Sequence, residues 1–459
     1  MDLDLRTVAE WTGGRMSGEN VKFSAVCTDS RKLTADSLFV ALKGENFNGE
    51  KFIDAAFLAG AAGVLTSSAD ALDGRPGVVV PDTLFALGNL AHQYRWQRYL
   101  IPWAAVTGSN GKTTTRGLLA HILRAEGKVL EPEANFNNLL GLPLTILRND
   151  WETKFGVLEM GTNAPGEIRR LAEIATPTVA VLTGTAAAHL QGLGSVEGVA
   201  REKAEIFSLL PNDGLAVYPA DNPFVNIFRE KIPNGVRHAT FAVGAPADLS
   251  ASEVTADDQG CRFTAGGQRF FLPLLGVHNI SNCLAALLAA RHFGVDFARA
   301  AEALATFKAV DARLQVIRHG GVTVINDAYN ANPESMRAAA KVLLNFPAKR
   351  RLMVAGDMAE LGVRSAELHA EMGKWLSREG LDVILAVGKE ALALAENAHA
   401  QNARQVIRYF PSVLSLLGHL KTSVQPGDVI LVKGSRVMGL ERVVSALKML
   451  GGTFKEARP

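Results

Sequence analysis

The sequence predicts an α/β protein with three domains: a small α/β domain at the N-terminus, a central P-loop domain around a parallel sheet, and a C-terminal Rossmann-like domain. Three observations support this prediction. The chain has 459 residues, a length that favours about three domains. Its composition, 48% hydrophobic and 20% charged, is typical of a folded protein with substantial cores. Short apolar runs alternate with helical patterns, which indicates parallel strands with crossover helices.

The first domain is expected to span residues 1–98. Strand-like runs at residues 37–42 and 77–80 alternate there with a helical pattern at residues 52–62. The proline at position 102 favours a linker just before the next apolar run. The central domain is therefore expected to span residues 99–311.

The central domain begins with the strongest motif of the chain. An apolar run at residues 103–106 leads into Thr-Gly-Ser-Asn-Gly-Lys-Thr-Thr at residues 107–114, and a helical pattern follows. Glycines let backbone N–H groups turn toward phosphate oxygens, and the helix start adds the positive end of its dipole. The residues expected to hold a nucleoside triphosphate are Gly108, Ser109, Asn110, Gly111, Lys112, Thr113 and Thr114.

Two side chains of this loop have specific expected roles. Lys112 would bridge the outer phosphates of ATP, and the Thr113 hydroxyl would reach a magnesium ion between the β- and γ-phosphates. The loop is a short variant, because Val106 stands where the common motif has its first glycine, so Gly108 makes the turn. The motif predicts an ATPase domain that uses ATP and Mg²⁺.

Three further candidates lie downstream in the central domain. Glu159 ends an apolar run, where its carboxylate could hold magnesium. His189 follows the next apolar run, although a single histidine is more often a core or surface group than a ligand. Lys203 lies in a helical pattern, where a lysine usually marks a solvated face. Each of these residues taken alone has an ordinary structural explanation.

The C-terminal domain is expected to span residues 312–459. Its apolar runs lie at residues 322–325, 352–355, 383–387 and 429–432. Helical patterns separate these runs, which favours a Rossmann-like fold. The GxGxxG fingerprint is absent from this part of the sequence, so a dinucleotide is not implied.

Charge and composition argue against several functional classes. The net charge of +2 provides no general field for a polyanion, so we expect no nucleic-acid partner. Cys27, Cys261 and Cys283 form neither a metal-binding spacing nor a disulfide framework, which fits a reducing compartment. The sequence shows no signal peptide and no apolar segment long enough for a bilayer. We therefore expect a cytoplasmic protein without membrane insertion.

An ordered set of short motifs resembles the Mur ligase family over nearly the whole chain. The motifs are TGSNGKTTT, LEMGTN, HLQGLGS, REKAEIF, GVHNISN, DAYNANPESM, GDMAELG and KGSR. The pairing of DAYNANP with GDMAELG is most similar to the members that join D-alanyl-D-alanine to UDP-N-acetylmuramoyl-tripeptide. The resemblance implies an ATP-dependent amide ligase of peptidoglycan precursor synthesis, with these two molecules as its partners and an acyl-phosphate intermediate. We expect a monomer, although no sequence feature indicates the oligomeric state.

Other functions remain open at this point. The nearest is the related ligase that adds diaminopimelate or lysine to UDP-muramoyl-dipeptide, but its Asp-Asn-Pro-Arg motif is absent from the third domain. An Asp-Asn-Pro occurs only at residues 221–223, in the central domain. A folylpolyglutamate-type ligase would lack the N-terminal nucleotide segment. A non-catalytic nucleotide-binding module would not need Glu159, His189 and Lys203 together.

The resemblance also implies roles for individual residues. The implied catalytic residues are Lys112, Glu159, His189, Lys203 and Arg313. The implied magnesium ligands are Thr113, Glu159, His189 and Lys203, with Lys203 carboxylated by carbon dioxide. The P-loop residues would bind ATP together with Asn279, Asn282, Arg313, Asp327 and Tyr329. The implied substrate-binding residues are Ser30, Arg31, Asn135, Asn138, Asn330, Asn332, Lys433, Ser435 and Arg436.

The chain departs from the family pattern at three places. Gly184 and Ala187 stand where asparagine and proline are usual, in the loop that carries His189. Residues 48–50 read Asn-Gly-Glu instead of Asp-Gly-His, in the segment that matches the uridine site. Ala312 replaces a glycine at the hinge, which we expect to stiffen domain closure.

Overall fold

Three large sheets organise the chain in the computed structural model, which describes residues 2–44, 47–98 and 100–456. The predicted α/β architecture with three domains is confirmed. The domain boundaries after residues 98 and 311 stay predictions. Met1, Tyr99 and residues 457–459, where the expected domains begin or end, lie outside the described residues. No helix in the described ranges is both long and apolar enough to cross a bilayer.

The N-terminal domain packs helices against a mixed sheet. Its strands are β1 (Leu3–Asp4), β2 (Arg15–Ser17), β3 (Lys22–Phe23), β4 (Ala25–Cys27), β5 (Ser37–Val40), β6 (Lys43–Gly44), β7 (Phe47–Asn48), β8 (Ala61–Thr66) and β9 (Gly77–Val79). Its helices are α1 (Leu5–Thr12), α2 (Ile53–Leu58) and α3 (Thr83–Arg98). The main sheet has the order β2-β9-β8-β5-β4, and β2 alone among these described strands runs antiparallel to its neighbour. The helix predicted over residues 52–62 is too long, because Ala61 already pairs with Ser37 in the sheet.

The central domain is built on a sheet that is parallel over most of its width. Its strands are β10 (Trp103–Thr107), β11 (Lys128–Leu130), β12 (Thr153–Glu159), β13 (Val179–Leu182), β14 (Leu215–Pro219), β15 (Arg237–Val243), β16 (Leu249–Ala256), β17 (Cys261–Ala265) and β18 (Gln268–Leu272). Its helices are α4 (Lys112–Leu123), α5 (Gly141–Ile146), α6 (Glu167–Ala175), α7 (Leu190–Leu193), α8 (Val196–Ala204), α9 (Val225–Lys231), α10 (His278–His292) and α11 (Phe297–Leu304). The sheet order is β11-β12-β10-β13-β14-β15-β16-β17-β18, with antiparallel pairing only from β16 to β18 in the described chain.

The strand order brings the predicted site residues together at the carboxyl ends of neighbouring strands in the middle of this sheet. Strand β10 lies between β12 and β13, with Val106 opposite Glu159 and Thr107 opposite Leu182. The P-loop leaves the carboxyl end of β10, so it lies next to the ends of both neighbouring strands. Ligands bind at the carboxyl ends of strands in such sheets.

The C-terminal domain has a sheet covered by helices on both faces. Its strands are β19 (Gln315–His319), β20 (Val322–Asp327), β21 (Arg350–Gly356), β22 (Val383–Val387), β23 (Val406–Phe410) and β24 (Asp428–Lys433). Its helices are α12 (Pro333–Leu344), α13 (Ser365–Leu376), α14 (Ala391–Gln401), α15 (Val413–Ser423) and α16 (Glu441–Glu456). The order is β19-β20-β24-β21-β22-β23, parallel except at β19 within the described residues. Each of the four predicted apolar runs lies in one of these strands.

Candidate active site

The P-loop needs glycine at two positions because of both backbone conformation and space. Gly108 and Gly111 have φ values of +148° and +80°, which side-chain-bearing residues rarely adopt. A Cβ atom at Gly108 would lie 1.9 Å from the Thr183 hydroxyl oxygen. At Gly111 it would lie 2.1 Å from the Asn282 side-chain oxygen. The two glycines thus bring the loop against β13 and α10.

The loop after β13 is hydrogen-bonded to the P-loop. The Ser109 amide donates to the Gly184 carbonyl at 2.9 Å, and the Ser109 hydroxyl accepts from the Ala186 amide at 2.9 Å. The Thr183 hydroxyl donates to the Asn110 carbonyl. These bonds use backbone groups of residues 184 and 186, so the departure from asparagine at Gly184 leaves the attachment intact.

A cavity of about 440 Å³ lies between the central and C-terminal domains beside the P-loop. The predicted residues that line it are Asn110, Gly111, Thr114, Asn279, Asn282, Arg313, Asp327 and Lys433. It is also lined by residues that sequence reasoning did not select, among them Thr185, Asn222, His278 and Glu334. The structure therefore joins predicted ATP-binding residues of two domains around one space.

One end of the cavity presents amide side chains from the start of α10. The Asn279 amide nitrogen donates to the Leu275 carbonyl at 2.8 Å, and that of Asn282 donates to the Asn279 side-chain oxygen at 2.9 Å. The bond to the preceding loop fixes the Asn279 side chain. Asn282 reaches both Asn279 and the P-loop glycine Gly111, so it links the helix to the loop.

Asn222 and His278 were missed, although each carried a signal. Asn222 follows β14, at the same edge of the sheet as the P-loop, and its side chain pairs with the Thr185 hydroxyl at 3.1 to 3.2 Å. The position after a strand end was its signal. His278 directly precedes Asn279 in the GVHNISN motif. It lines the cavity with an exposed side chain, and desolvation by the cavity walls lowers its pKa to about 4, so its imidazole is neutral at pH 7.

Lys112 and Arg313 each bind a residue of the P-loop. The Lys112 ammonium donates to the Gly108 carbonyl at 2.9 Å. Burial lowers the pKa of Lys112, while the negative charges of Glu159 and Glu360 work against this shift. Arg313 donates to the Thr113 hydroxyl at 3.2 Å, so the C-terminal domain contributes a cation to the loop.

The hinge residues that carry Arg313 have an unusual backbone. Ala312 and Leu314 have φ values of +57° and +53°, in the left-handed region where glycine is favoured. Such conformations persist where the surroundings enforce them, and they cluster at functional sites. The Arg313 guanidinium lies 4.0 Å from the centre of the Tyr329 ring, which fixes its plane. Ala312 thus keeps the conformation that a glycine would adopt without strain.

Glu159 is buried with both carboxylate oxygens near donors. It is 5% exposed, and the Asn137 side chain donates to its Oε1 at 2.9 Å. The Arg116 guanidinium Nε lies 3.6 Å from its Oε2. Asn137 and Arg116 were missed. The signal for Asn137 was its place in an asparagine-rich run, in which Asn138 instead accepts from the Gly141 amide at 2.8 Å at the start of α5.

Lys203 is the most unusual side chain of the site. It is fully buried on α8, and its amine has no hydrogen-bond partner among the described residues. Burial lowers its pKa well below the usual value, and the nearby charge of Lys112 lowers it further. Its neighbour Glu202 is also buried but accepts from the Gly166 and Ile168 amides at 2.8 Å. The solvated-face explanation of Lys203 is therefore wrong.

His189 contacts a carboxylate of the C-terminal domain. Its Nδ1 lies 2.6 Å from Oε2 of Glu360. This close contact with His189 lowers the pKa of Glu360, although Nδ1 makes no hydrogen bond of regular geometry with the described residues. Glu360 is not among the predicted site residues, although it belongs to the GDMAELG motif.

The predicted magnesium ligands differ in how well they suit the ion. Thr113 and Glu159 provide hydroxyl and carboxylate oxygens, the donors that magnesium prefers. An ammonium group at Lys203 has no lone pair, and a neutral amine is not an oxygen donor, so this residue suits magnesium as a carbamate. Within the described residues, no group of three or more His, Cys, Asp or Glu could hold a metal ion. Nucleotide oxygens and water would complete any magnesium site here.

Predicted residues of the C-terminal domain are largely engaged with one another. The Lys433 ammonium donates to Asp327 Oδ2 at 2.5 Å and to the Asn330 carbonyl at 2.9 Å. The Ser435 hydroxyl accepts from the Ala359 amide at 2.8 Å. The Arg436 guanidinium lies 5.7 Å from the Tyr329 ring centre. These side chains surround the loops that follow β20 and β24.

Asn332 links the start of α12 to the P-loop. Its side-chain oxygen caps the helix by accepting from the Ser335 amide at 2.9 Å. Its amide nitrogen donates to the side-chain oxygen of Asn110 at 2.8 Å. The Asn110 side chain in turn donates to Glu334 at 2.8 Å. Both the oxygen and the nitrogen of the Asn332 side-chain amide are therefore hydrogen-bonded.

The residues predicted to bind the uridine nucleotide lie apart from this cluster. Ser30 begins a short 3₁₀ turn of the N-terminal domain, and Arg31 is exposed and paired with Asp29 at 2.9 Å. Asn135 accepts a backbone bond from Asn137 at 2.7 Å, near Glu159. Neither Ser30 nor Arg31 lines the cavity.

Comparison with known proteins identifies the family. Three family models match in order: Mur ligase family, catalytic domain, at residues 22–95; Mur ligase middle domain at residues 106–290; and Mur ligase, glutamate ligase domain, at residues 312–436. The chain is 37% identical over 453 residues to the UDP-N-acetylmuramoyl-tripeptide--D-alanyl-D-alanine ligase of Bacillus subtilis, covering 96% of this chain and 98% of that protein. The chain belongs to the Mur ligase family.

Solved structures agree with this assignment. MurF from Acinetobacter baumannii superimposes on this Mur ligase with a TM-score of 0.91, at 31% identity, over 98% of this chain and 99% of that one. The MurF ligase from Thermotoga maritima, solved in complex with ADP, gives a TM-score of 0.81 at 28% identity, over 93% and 97% of the two chains. The resemblance inferred from the motifs is confirmed.

Proposed function

We propose that this Mur ligase joins D-alanyl-D-alanine to UDP-N-acetylmuramoyl-tripeptide, with conversion of ATP to ADP and phosphate, in peptidoglycan precursor synthesis. The observation that carries the proposal is the cavity where the P-loop meets Arg313 of the C-terminal domain. The ligase name of the Bacillus subtilis relative and the ADP complex of the Thermotoga maritima relative support the substrates. The diaminopimelate- or lysine-adding alternative is not favoured.

The proposed reaction needs positioning and charge more than a protein nucleophile. The terminal carboxylate of the tripeptide attacks the γ-phosphate of ATP, which gives an acyl phosphate and ADP. The dipeptide amine then attacks the acyl carbon, loses a proton, and phosphate leaves. Lys112 and Arg313 would stabilise the charge on the phosphates, while the P-loop amides orient them.

Magnesium fits the oxygen donors of Thr113 and Glu159. When bound, the ion would neutralise phosphate charge. Asn137 and Arg116 hold the Glu159 carboxylate in one orientation, so that ligand would need little rearrangement. We assign Thr113 and Glu159 to the first magnesium ion.

The lone amine of Lys203 supports its proposed carboxylation. Its lowered pKa favours the neutral amine, which can add to carbon dioxide to form a carbamate with release of a proton. The carbamate oxygens would offer an anion where the buried amine now has no partner. Together with His189, the carbamate would hold a second magnesium ion.

The remaining substrate residues form part of the same proposal. Ser30 and Arg31 would bind the uridine nucleotide, and Asn135 and Asn138 would line the path of the muramoyl peptide. The residues assigned to the dipeptide and its surroundings are Asn330, Asn332, Lys433, Ser435 and Arg436. Domains at residues 1–98, 99–311 and 312–459 would then bring the three substrates together. The monomeric state stays a prediction.

The test is phosphate release from ATP with UDP-N-acetylmuramoyl-tripeptide and different acceptors, with mass spectrometry of the product. We expect release and ligation with D-alanyl-D-alanine and neither with single amino acids. Lys112→Ala should lower kcat by about 100-fold or more, since it removes a cation from the phosphates. Ligation of a single amino acid to UDP-muramoyl-dipeptide would instead support the diaminopimelate- or lysine-adding ligase.

A further inference from the structure

Glu360 meets His189 across the two domains that enclose the cavity. Glu360 lies on the loop after β21 in the C-terminal domain, and His189 precedes α7 in the central domain. The 2.6 Å contact joins Oε2 of Glu360 to Nδ1 of His189. Because this contact occupies Nδ1, a metal would have to bind His189 through its other ring nitrogen, Nε2. A histidine that binds a metal usually donates its second ring N–H to a carboxylate, which fixes the ring. Here the 2.6 Å distance is that of an ion pair, and Nδ1 makes no hydrogen bond of regular geometry within the described chain.

The backbone supports a specific role for this contact. His189 and Glu360 have φ values of +56° and +63°, in the left-handed region that residues other than glycine rarely adopt. Each conformation costs free energy that the surroundings must offset. Both residues lie where the central and C-terminal domains touch, so each domain holds its own residue in the conformation that allows the contact.

Two further contacts fix the position of the Glu360 loop on the central domain. The Gln191 amide donates to the Glu360 carbonyl at 3.2 Å. Gly362 lies against the same residue, because a Cβ added there would be 3.4 Å from the Gln191 Cα. Leu190 and Leu361 belong to one hydrophobic cluster. The carboxylate therefore reaches His189 only when the C-terminal domain is docked.

We propose that Glu360 is a positioning residue through which the C-terminal domain orients His189, so that the second magnesium site is complete only in the docked arrangement. This inference rests on the proposed function, because it takes His189 as a ligand of that ion. Glu360 would touch neither ATP nor the metal. Its effect would pass through the imidazole ring alone.

The test compares Glu360→Gln with Glu367→Gln. Glu367 is also an acidic residue after β21, and it pairs with Arg364 on the surface at 3.0 Å. Binding of Mn²⁺ to each protein with a non-hydrolysable ATP analogue is measured by electron paramagnetic resonance. We expect Glu360→Gln to weaken the second Mn²⁺ site by about 10- to 100-fold and to leave the first site unchanged. Glu367→Gln should bind both ions like the wild type.

A second variant separates the carboxylate from the backbone. Glu360→Asp keeps the charge and suits the left-handed backbone, but its carboxylate is one methylene shorter and cannot keep the 2.6 Å contact, so it should also weaken the second site. Equal Mn²⁺ binding by the wild type, Glu360→Gln and Glu360→Asp would overturn the inference. The wild-type ligase assay is run in parallel: a wild type that binds two ions but ligates nothing contradicts the proposed function alone.

Discussion

The central domain meets its two neighbours in different ways. Toward the N-terminal domain, α3 buries Leu90 and Tyr94 in one hydrophobic cluster with Leu142 and Leu171 of the central domain. The Tyr94 hydroxyl also donates to the Asn149 carbonyl at 2.8 Å. The two domains thus share a continuous core, and separating them would expose its apolar surface to water.

The contacts with the C-terminal domain surround a cavity instead. An apolar patch exists there, where Leu190 and Leu193 pack with residues such as Met358. The contacts next to the cavity are polar, including Asn110 with Asn332 and Arg313 with Thr113. The first interface therefore stabilises the fold, whereas the second encloses the cavity in which we propose that ATP binds.

The largest expected effect comes from Lys203, which lies on α8 near the second interface. Lys203→Met replaces an unpaired buried amine with an apolar chain of similar length. We expect ligase activity to fall by about 100-fold or more, because the proposed carbamate cannot form on methionine. The same change should stabilise the protein by about 1–3 kcal/mol in bicarbonate-free buffer, because it removes an unsatisfied buried group.

The pH dependence of that stability gain has a definite sign. The pKa of Lys203 is lowered in the folded protein, so between that lowered pKa and about 10.5 the unfolded chain binds a proton that the folded chain does not. Wild-type stability therefore rises with pH over this range. The gain from Lys203→Met, measured by urea unfolding at several pH values, should shrink as the pH rises. A gain that grows with pH would contradict the lowered pKa.

The first interface is tested by Leu90→Ala. Leu90 is completely buried in the shared cluster, and removing its side chain should lower the free energy of unfolding by about 2–5 kcal/mol. ATP affinity of the folded variant should not change, because the cavity belongs to the second interface. Leu414→Ala is the matched control: Leu414 is 79% exposed, so the change should be within about 0.5 kcal/mol. Urea unfolding and nucleotide titration give the two quantities.

A smaller effect is expected for Arg313→Lys at the second interface. Lysine keeps the charge but loses the planar group that lies over Tyr329 and reaches Thr113. We expect ATP to bind about tenfold more weakly, with little change in unfolding free energy. Arg318→Lys is the control, since Arg318 also bridges the two domains, to Asp258 at 3.0 Å, but lies outside the cavity lining. Calorimetric titration that gives equal losses for both variants would show that interdomain charge alone sets the affinity.

Features that depend on neighbouring residues in the chain were predictable from the sequence, whereas contacts between distant segments were not. Strands were predictable because apolar runs such as residues 383–387 are local patterns. The P-loop was predictable because its glycines and lysine are neighbours in the chain. Lys203 shows the limit of local patterns, since a helical lysine looks like a surface group until the packing around it is known.

Partner choice between distant residues was not predictable from local patterns. Glu159 was selected as a candidate, but its partner Asn137 was passed over for the adjacent Asn135 and Asn138. The strand order places β12 beside β10, and only the folded loop then decides which asparagine reaches the carboxylate. Glu360 was missed for the same reason, because its partner His189 belongs to another domain.

The smallest expected effect concerns Asn332, where two roles can be separated. Asn332→Ser keeps a good helix cap for α12 but is too short to donate to Asn110, so unfolding free energy should change by less than about 1 kcal/mol. ATP affinity should change by a few-fold, because the P-loop loses one contact with the C-terminal domain. In an Asn110→Ala background the same substitution should have no further effect on ATP affinity, since the partner is already gone. Additive effects of the two substitutions would mean that Asn332 acts on the nucleotide through another route, such as the substrate contact that the motif implies.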